Sequence, residues 1–105
     1  MVKIYVSGPM AGRPQNNVPA FNLAAKKLRA KGYKVVNPAE LDKGEPCKSW
    51  VECLRRDLKW LVTCDAIATL SGWHKSKGAN LEIRVGKELS FPIHPVKSFL
   101  KRRYK

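Results

Sequence analysis

Short apolar segments that alternate with helical patterns constrain the fold of this chain more than any other feature of its sequence. Residues 2–6 and 33–36 are rich in β-branched and aromatic side chains, and residues 66–70 form a compact apolar run. Each of these segments is therefore predicted to be a buried strand. Ile93 is expected to belong to a last short strand.

Helices are predicted between these strands. In residues 19–31 apolar side chains recur at helical spacing, and Gly32 follows as a stop signal. Ser49 and Glu52 have the spacing of a capping box, which indicates the start of a second helix. A third helix is predicted at residues 79–89.

This alternation predicts an α/β domain, a three-layer sandwich with a mostly parallel sheet of about four strands, flavodoxin-like or Rossmann-like in kind. A chain of 105 residues with 44% hydrophobic content has room for one such domain, which is expected to span residues 1–95. Residues 96–105 are strongly basic. They fit either a helix that docks on a partner or nucleic acid, or a solubilising tail, and we interpret them as a tail.

Several classes of protein are not indicated. No apolar run is long enough to cross a bilayer and no signal sequence is visible, so a soluble, cytoplasmic protein is expected. Cys47, Cys53 and Cys64 are odd in number and form no CxxC pair. Neither a disulfide framework nor a metal site is therefore predicted.

The net charge of the chain is +13, from 21 Lys and Arg against 8 Asp and Glu. Such a charge attracts polyanions in general, including nucleic acids and free nucleotides, but it does not distinguish specific from non-specific attraction. Phosphate-bearing ligands and a merely basic, solvated surface are both compatible with it.

The turn at residues 76–82 is the strongest candidate for a site. Ser76 and Gly78 precede a predicted helix, where a hydroxyl and backbone N–H groups could hold an oxyanion, and Glu82 lies one turn inside. The structural alternative is an ordinary turn with an acid that complements the helix dipole.

A second acid and a loop could complete this site. The inward stripe of the second helix is predicted to contain Trp50, Leu54, Leu58 and Leu61, and Asp57 lies on or beside it. A core-facing carboxylate is normally either paired or chemically active. The loop after the first strand is a candidate wall, since parallel sheets bind ligands at the carboxyl ends of their strands. Tyr5, Asp57 and Glu82 could therefore share one pocket. The loop residues proposed for substrate or phosphate binding are Gly8, Pro9, Met10 and Arg13.

An ordered set of segments resembles the nucleoside 2-deoxyribosyltransferase-like superfamily. The similarity covers nearly all of the chain up to about Ile93, in order and with compatible spacing. The branches that it resembles most are short phage-type proteins and the 2′-deoxynucleoside 5′-phosphate N-hydrolases. The segments are Tyr5-Val6-Ser7-Gly8-Pro9-Met10-Ala11-Gly12, Asn37-Pro38-Ala39-Glu40, Arg56-Asp57-Leu58-Lys59-Trp60-Leu61, Cys64-Asp65-Ala66 and Ser76-Lys77-Gly78-Ala79-Asn80-Leu81-Glu82.

The resemblance implies cleavage of the N-glycosidic bond of 2′-deoxynucleosides or their 5′-monophosphates, by hydrolysis or deoxyribosyl transfer, without a metal or organic cofactor. It implies Glu82 as the nucleophile, Asp57 as general acid/base and Tyr5 as the residue that orients Glu82. Ser76 matches the serine that the hydrolases place against the phosphate. A homodimer or larger assembly, whose neighbouring subunit completes the pocket, is also implied.

The chain departs from the hydrolase pattern in its first loop. Pro9 and Ala11 stand where the hydrolases carry serine and arginine, although Arg13 could compensate, and Arg84 replaces a glycine after Glu82. The alternatives are a non-catalytic nucleotide-binding or sequestering protein and a small basic nucleic-acid-binding protein. The preferred base, the preferred sugar and the pathway are not predicted.

Overall fold

A computed structural model describes residues 2–10, 12–41 and 47–101 and contains a four-stranded parallel sheet. The strands lie in the order β2-β1-β3-β4. They are β1 (Lys3–Ser7), β2 (Lys34–Val36), β3 (Ala66–Thr69) and β4 (Ile93–Pro95). The α-helices are α1 (Val18–Ala30), α2 (Trp50–Leu61), α3 (Lys77–Glu88) and α4 (Val96–Lys101). Short 3-10 segments lie at Pro14–Asn17, Pro38–Glu40 and Trp73–Lys75.

Helices cover both faces of the sheet. Successive residues of the central strand β1 point to opposite sides, and each side buries apolar residues against a different pair of helices. Ile4 and Val6 pack in one apolar cluster with residues of α1 and with Phe99 of α4. Tyr5 packs in the other cluster with residues of α2 and α3. The predicted three-layer α/β sandwich with a parallel sheet of about four strands is therefore confirmed. No helix in the described part of the chain has the length and apolar character needed to span a bilayer.

The start of α2 has the predicted cap, with one difference in its second half. The Ser49 hydroxyl accepts the backbone N–H of Glu52 at 3.1 Å, as in a capping box. The Glu52 carboxylate, however, accepts the backbone N–H of Lys48 at 2.7 Å. In a capping box this carboxylate would accept the backbone N–H of Ser49, so the second bond is shifted by one residue toward the N-terminus.

Residues 96–101 differ from the predicted basic tail, because they form α4 and pack on the domain. The Phe99 ring is 1% exposed and meets Tyr33 at a centroid distance of 6.1 Å. The Tyr33 hydroxyl also donates to the carbonyl of Phe99 at 2.9 Å. Phe99 and the partly buried Val96 and Leu100 therefore dock this segment on the domain, while residues 102–105 lie outside the described residues.

Candidate active site

Glu82 is a buried carboxylate near the start of α3, with a side chain in contact with the central strand. Only 6% of the residue is exposed. The Tyr5 hydroxyl donates to its Oε2 at 2.5 Å, and the Ser7 hydroxyl donates to its Oε1 at 2.7 Å. Since a buried charge is costly unless hydrogen bonds compensate it, these donors are what make a carboxylate tolerable there.

Burial raises the pKa of Glu82 to about 7, against an ordinary value of 4.5. The hydrogen bonds from Tyr5 and Ser7 act in the opposite direction, and the nearby Asp57 carboxylate raises the pKa further. The pKa of Tyr5 is raised well above its usual value by burial and by the negative charge of Glu82. Tyr5 therefore stays a neutral donor while Glu82 changes charge near neutral pH.

The position of these donors follows from the strand pattern. Tyr5 and Ser7 are two residues apart on β1, so both side chains leave the same face of the sheet, the face that α3 covers. Ile67 of β3 lies beside Tyr5 in register and packs directly under Gly86 of α3. A side chain at Gly86 would collide with Ile67. This close approach of helix to sheet brings Glu82 within hydrogen-bond distance of β1.

Asp57 enters the same site from α2, as an ion pair with its neighbour in sequence. Nε and Nη2 of Arg56 both donate to Oδ1 of Asp57, at 3.1 and 3.0 Å. The two side chains are 14% and 22% exposed for Asp57 and Arg56, respectively. The ion pair compensates the two opposite charges at this partly buried position.

Glu82, Asp57 and Arg56 line a cavity of about 400 Å³, which we call the Glu82 cavity. Tyr5, which was expected to share this pocket, and Ser7 contact Glu82 but are not among the described residues that line it. Its volume is within the range of about 300–1,000 Å³ that small-molecule sites occupy. Both polar and apolar side chains contribute to its wall. The lining residues are Gly8, Met10, Asn16, Val18, Phe21, Pro38, Cys47, Trp50, Cys53, Leu54, Arg56, Asp57, Ser76, Gly78, Ala79 and Glu82.

The first turn of α3 presents Ser76 and Gly78 to the Glu82 cavity. The Ser76 hydroxyl caps the helix by accepting the backbone N–H of Ala79 at 3.2 Å. Asn80 Nδ2 donates to the carbonyl of Ser76 at 2.8 Å and holds the turn in shape. The backbone N–H groups of this turn form the positive end of the helix dipole, where an anion is stabilised.

The loop after β1 is divided between two places. Gly8 and Met10 line the Glu82 cavity, and a Cβ on Gly8 would lie 2.7 Å from that of Leu70, so only glycine fits there. Pro9 and Arg13 are not among the described residues that line the cavity. They lie beside Gly72 instead, with Nη2 of Arg13 directly against it.

Gln15, Asn16 and Asn17 turn this loop toward α1 in a left-handed conformation. Their φ angles are 54°, 53° and 61°, a region that non-glycine residues seldom adopt. Asn17 Nδ2 donates to the carbonyl of Pro9 at 2.8 Å, which ties the two ends of the loop together. Asn16 is thereby placed in the cavity wall.

The opposite wall contains a disulfide that the sequence analysis did not predict. Cys47 and Cys53 are bonded, with Cα atoms 5.4 Å apart, and both line the Glu82 cavity. The expectation of no disulfide is therefore corrected, since the turn before α2 brings these two side chains together without a CxxC spacing. Cys64 is a free, buried thiol, and burial raises its pKa to about 11.

Trp50 differs from its predicted place on an inward stripe. It is 47% exposed, because the first turn of α2 overhangs the cavity rather than the core, whereas Leu61 at the other end is fully buried. The Lys77 ammonium lies 4.6 Å from the centre of the Trp50 ring. This cation–π contact joins α2 to the first turn of α3 at the cavity.

A second hollow, of about 440 Å³, lies beyond the carboxyl ends of β3 and β4. It is more open than the Glu82 cavity and contains neither Glu82 nor Asp57. Its polar lining includes His74 and Lys97, both exposed. Because the carboxyl groups of both Glu82 and Asp57 line the Glu82 cavity, that cavity is the candidate active site.

The sequence analysis did not identify Ser7, Arg56 or the disulfide as parts of this site. Ser7 carried a usable signal, since it lies two residues after Tyr5 and so on the same face of the strand. For Arg56, the only signal in the sequence was its position next to Asp57. Within the described ranges, no three His, Cys, Asp or Glu side chains are grouped as metal ligands are.

Comparisons with known proteins agree with this fold. A protein-family model described as Domain of unknown function (DUF4406) matches residues 2–94. A solved structure of 2-deoxyribosyltransferase from the psychrotolerant bacterium Bacillus psychrosaccharolyticus is similar at a TM-score of 0.69 and 23% identity. The match covers 87% of this chain and 69% of that one. No curated protein sequence matches. The expected superfamily resemblance is thus supported at the level of the fold.

Proposed function

This chain belongs to the DUF4406 family, a domain of unknown function, and from the chemistry of its cavity we propose that it breaks the N-glycosidic bond of 2′-deoxynucleoside 5′-monophosphates. The observation that carries the proposal is the buried Glu82 carboxylate, held by Tyr5, in one cavity with Asp57. Two carboxyl groups in different environments are the usual equipment for glycosidic cleavage. The fold shared with a 2-deoxyribosyltransferase supports it further.

In the first step, Glu82 is the nucleophile. One of its carboxylate oxygens forms a bond to C1′ of the sugar while the C1′–N bond breaks, and the electron pair of that bond leaves with the base. Asp57, protonated once substrate binding separates it from Arg56, gives its proton to the departing nitrogen. Tyr5 keeps the carboxylate oriented during the approach, because its neutral hydroxyl donates a hydrogen bond to Oε2 of Glu82.

In the second step, the ester is released. A water oxygen forms a bond to C1′, the bond between C1′ and Glu82 breaks, and its electron pair returns to the carboxylate. The proton of the water passes to Asp57, which restores the acid. If a nitrogen of a second base attacks C1′ in place of water, the same steps give deoxyribosyl transfer.

The first turn of α3 would hold the 5′-phosphate. Ser76 and Gly78 line the cavity six and four residues before Glu82, on the same helix as the nucleophile. The helix N-terminus and the net charge of +13 both favour a dianion there. Arg13 lies beside Gly72, so in this proposal the backbone amides of α3 contribute more to phosphate binding than Arg13 does.

Incubation with 2′-deoxynucleoside 5′-monophosphates and with the free deoxynucleosides, followed by chromatography of the released base, tests the proposal. We expect release from the monophosphates. Glu82→Gln should lower turnover by about 10³-fold or more. Glu88→Gln, on the exposed end of the same helix, should leave turnover unchanged. Absence of base release from every monophosphate, or full activity of Glu82→Gln, would contradict the proposal.

A covalent sugar on Glu82 distinguishes the reaction from its alternatives. Intact-mass spectrometry of protein quenched during turnover should show a deoxyribosyl phosphate adduct in the wild type and none in Glu82→Gln. A nucleotide-binding protein without catalysis would show tight binding, no adduct and no free base. The homodimer implied by the resemblance stays a prediction, which sedimentation equilibrium tests.

A further inference from the structure

We propose that Ser7 is a positioning residue, which together with Tyr5 holds both oxygens of the Glu82 carboxylate and so sets the plane in which it faces the cavity. The inference rests on the proposed function, in which Glu82 attacks the sugar. The Ser7 hydroxyl lies 2.7 Å from Oε1, and the Tyr5 hydroxyl lies 2.5 Å from Oε2. One donor at each oxygen opposes rotation about the last bond of the side chain.

The backbone of Ser7 is held as firmly as its side chain. Ser7 pairs with Thr69 in the parallel ladder between β1 and β3, and its carbonyl accepts the backbone N–H of Leu70 at 2.9 Å. The residue is completely buried. The hydroxyl must therefore find its acceptor within the protein, and its acceptor is a carboxylate contributed by a residue 75 positions further along the chain.

This arrangement has a chemical use that packing alone does not require. A nucleophile has to meet C1′ within a narrow range of distance and angle, and a carboxylate fixed at both oxygens is already oriented for the approach. After attack, one oxygen carries the sugar and the other becomes a carbonyl. The hydroxyl at the carbonyl oxygen stabilises the charge that returns to the carboxylate when the ester breaks.

Ser7 also influences whether Glu82 is charged. Its hydrogen bond favours the carboxylate, while burial favours the neutral acid. The other titratable or charged groups that face Glu82 are Tyr5 from β1 and Asp57 from α2, the latter with its partner Arg56. The described residues of β3 (Ala66–Thr69) contribute no charge. Removal of the Ser7 hydroxyl should therefore move the titration of Glu82 to higher pH.

The experiment compares the wild type with Ser7→Ala, Ser7→Thr and the control Thr69→Val. Thr69→Val removes a buried hydroxyl from the register partner of Ser7, outside the Glu82 cavity. The titration of Glu82 is followed by 13C-edited spectroscopy of the carboxyl group, with Glu82→Gln to assign the signal, and it requires no substrate. We expect Ser7→Ala to titrate at higher pH, and Ser7→Thr and Thr69→Val to titrate as the wild type does.

Kinetics with a 2′-deoxynucleoside 5′-monophosphate provide the second measurement. Loss of a hydrogen bond to a buried charged group should lower kcat of Ser7→Ala by about 10- to 100-fold, with little change in KM. The acidic limb of its pH–rate profile should shift to higher pH, and Ser7→Thr should recover most of kcat. A merely structural role would lower activity equally at every pH.

The outcomes separate the two proposals. An active wild type whose Glu82 titrates at the same pH in folded Ser7→Ala overturns the positioning role and leaves the proposed function standing. A wild type that releases no base overturns the proposed function and, with it, the positioning role. If Ser7→Ala does not fold, Ser7→Cys keeps the shape with a weaker donor, and its Glu82 must still titrate above the wild type.

Discussion

As the proposed nucleophile, Glu82 has opposing requirements, since a nucleophile needs its charge and a buried position penalises that charge. The hydroxyls of Tyr5 and Ser7 offset part of that penalty, and burial still holds the pKa at about 7. The residue therefore gains its charge in the range where cells operate. Catalytic groups commonly have pKa values matched in this way to their working pH.

The raised pKa of Glu82 has a consequence for protein stability that can be measured without any substrate. The pKa of Glu82 is raised in the folded state, so its contribution to the free energy of unfolding is fully present below about pH 4.5 and is lost as pH rises to about 7. The difference between the two pKa values corresponds to roughly 3 kcal/mol. Glu82→Gln should lack this loss, because its amide stays neutral.

Urea denaturation of both proteins at a series of pH values checks this prediction. The difference in unfolding free energy, wild type minus Glu82→Gln, should fall between pH 4.5 and 7 and then level off. Using the difference cancels the titration of all other groups. A difference that stays constant across this window would show that the Glu82 carboxyl is not buried as the structure has it.

At the scale of elements, two glycines of the Glu82 cavity should respond to alanine in opposite ways. A Cβ on Gly8 would meet that of Leu70 at 2.7 Å, and the backbone N–H of Leu70 is bonded to the carbonyl of Ser7, the residue before Gly8. A Cβ on Gly78 would meet only the Trp50 ring, at 3.9 Å. Gly8→Ala should therefore destabilise the protein by about 1–3 kcal/mol.

Gly78→Ala should instead stabilise α3 by up to about 1 kcal/mol, because alanine is the better helix former. Its methyl group would project at the proposed phosphate position, so KM for the monophosphate should rise while the melting temperature does not fall. Thermal melts and steady-state kinetics on the two variants give both quantities. An unchanged KM would place the phosphate elsewhere.

Phe99 is the fully buried side chain through which α4 packs on the domain, with Val96 and Leu100 beside it. Phe99 is 1% exposed and contacts Tyr33 and His94. Phe99→Ala should cost about 3–5 kcal/mol of stability, as for other buried aromatic truncations. Lys97→Ala, on the exposed side of the same helix, should cost less than about 0.5 kcal/mol. Urea denaturation compares the two, and equal effects would show that α4 does not pack through Phe99.

The Cys47–Cys53 disulfide closes the turn before α2 across a separation of 6 residues. By the loop-closure argument, its reduction should lower stability by about 2 kcal/mol. Denaturation with and without a phosphine reductant measures this effect. The double variant Cys47→Ser/Cys53→Ser is the control and should not respond to the reductant. A wild type that is equally indifferent would show that the two thiols are not bonded.

At the scale of the whole molecule, the +13 charge is spread over several surfaces rather than gathered into one. Exposed lysines occur on both faces of the sheet. Lys26, Lys27, Lys97 and Lys101 lie on α1 and α4, which cover one face, and Lys59 and Lys87 lie on α2 and α3, which cover the other. Such a distribution suits general attraction of polyanions, including a nucleotide substrate, better than a dedicated nucleic-acid interface.

Retention on double-stranded DNA should accordingly weaken steeply between about 50 and 200 mM salt. Replacing Lys26 and Lys27 by Gln should reduce it as much as replacing Lys97 and Lys101. Chromatography over a salt gradient compares the two double variants. A selective loss with the α4 pair would favour the nucleic-acid-binding alternative, with that helix as its contact surface.

The sequence by itself determined the strands, the helices α1 to α3 and the parallel α/β order, because these follow from short-range patterns of apolar spacing and capping such as Ser49 with Glu52. It also predicted that the turn before Glu82 and the loop after β1 lie at one edge of the sheet, since the carboxyl ends of parallel strands share an edge. Only the tertiary structure decided that Ser7 shares Glu82 with Tyr5, that Arg13 lies beside Gly72, and that Cys47 meets Cys53. Those contacts depend on how closely separate segments approach one another, and that distance is set by packing, as where Gly86 lets α3 settle on Ile67.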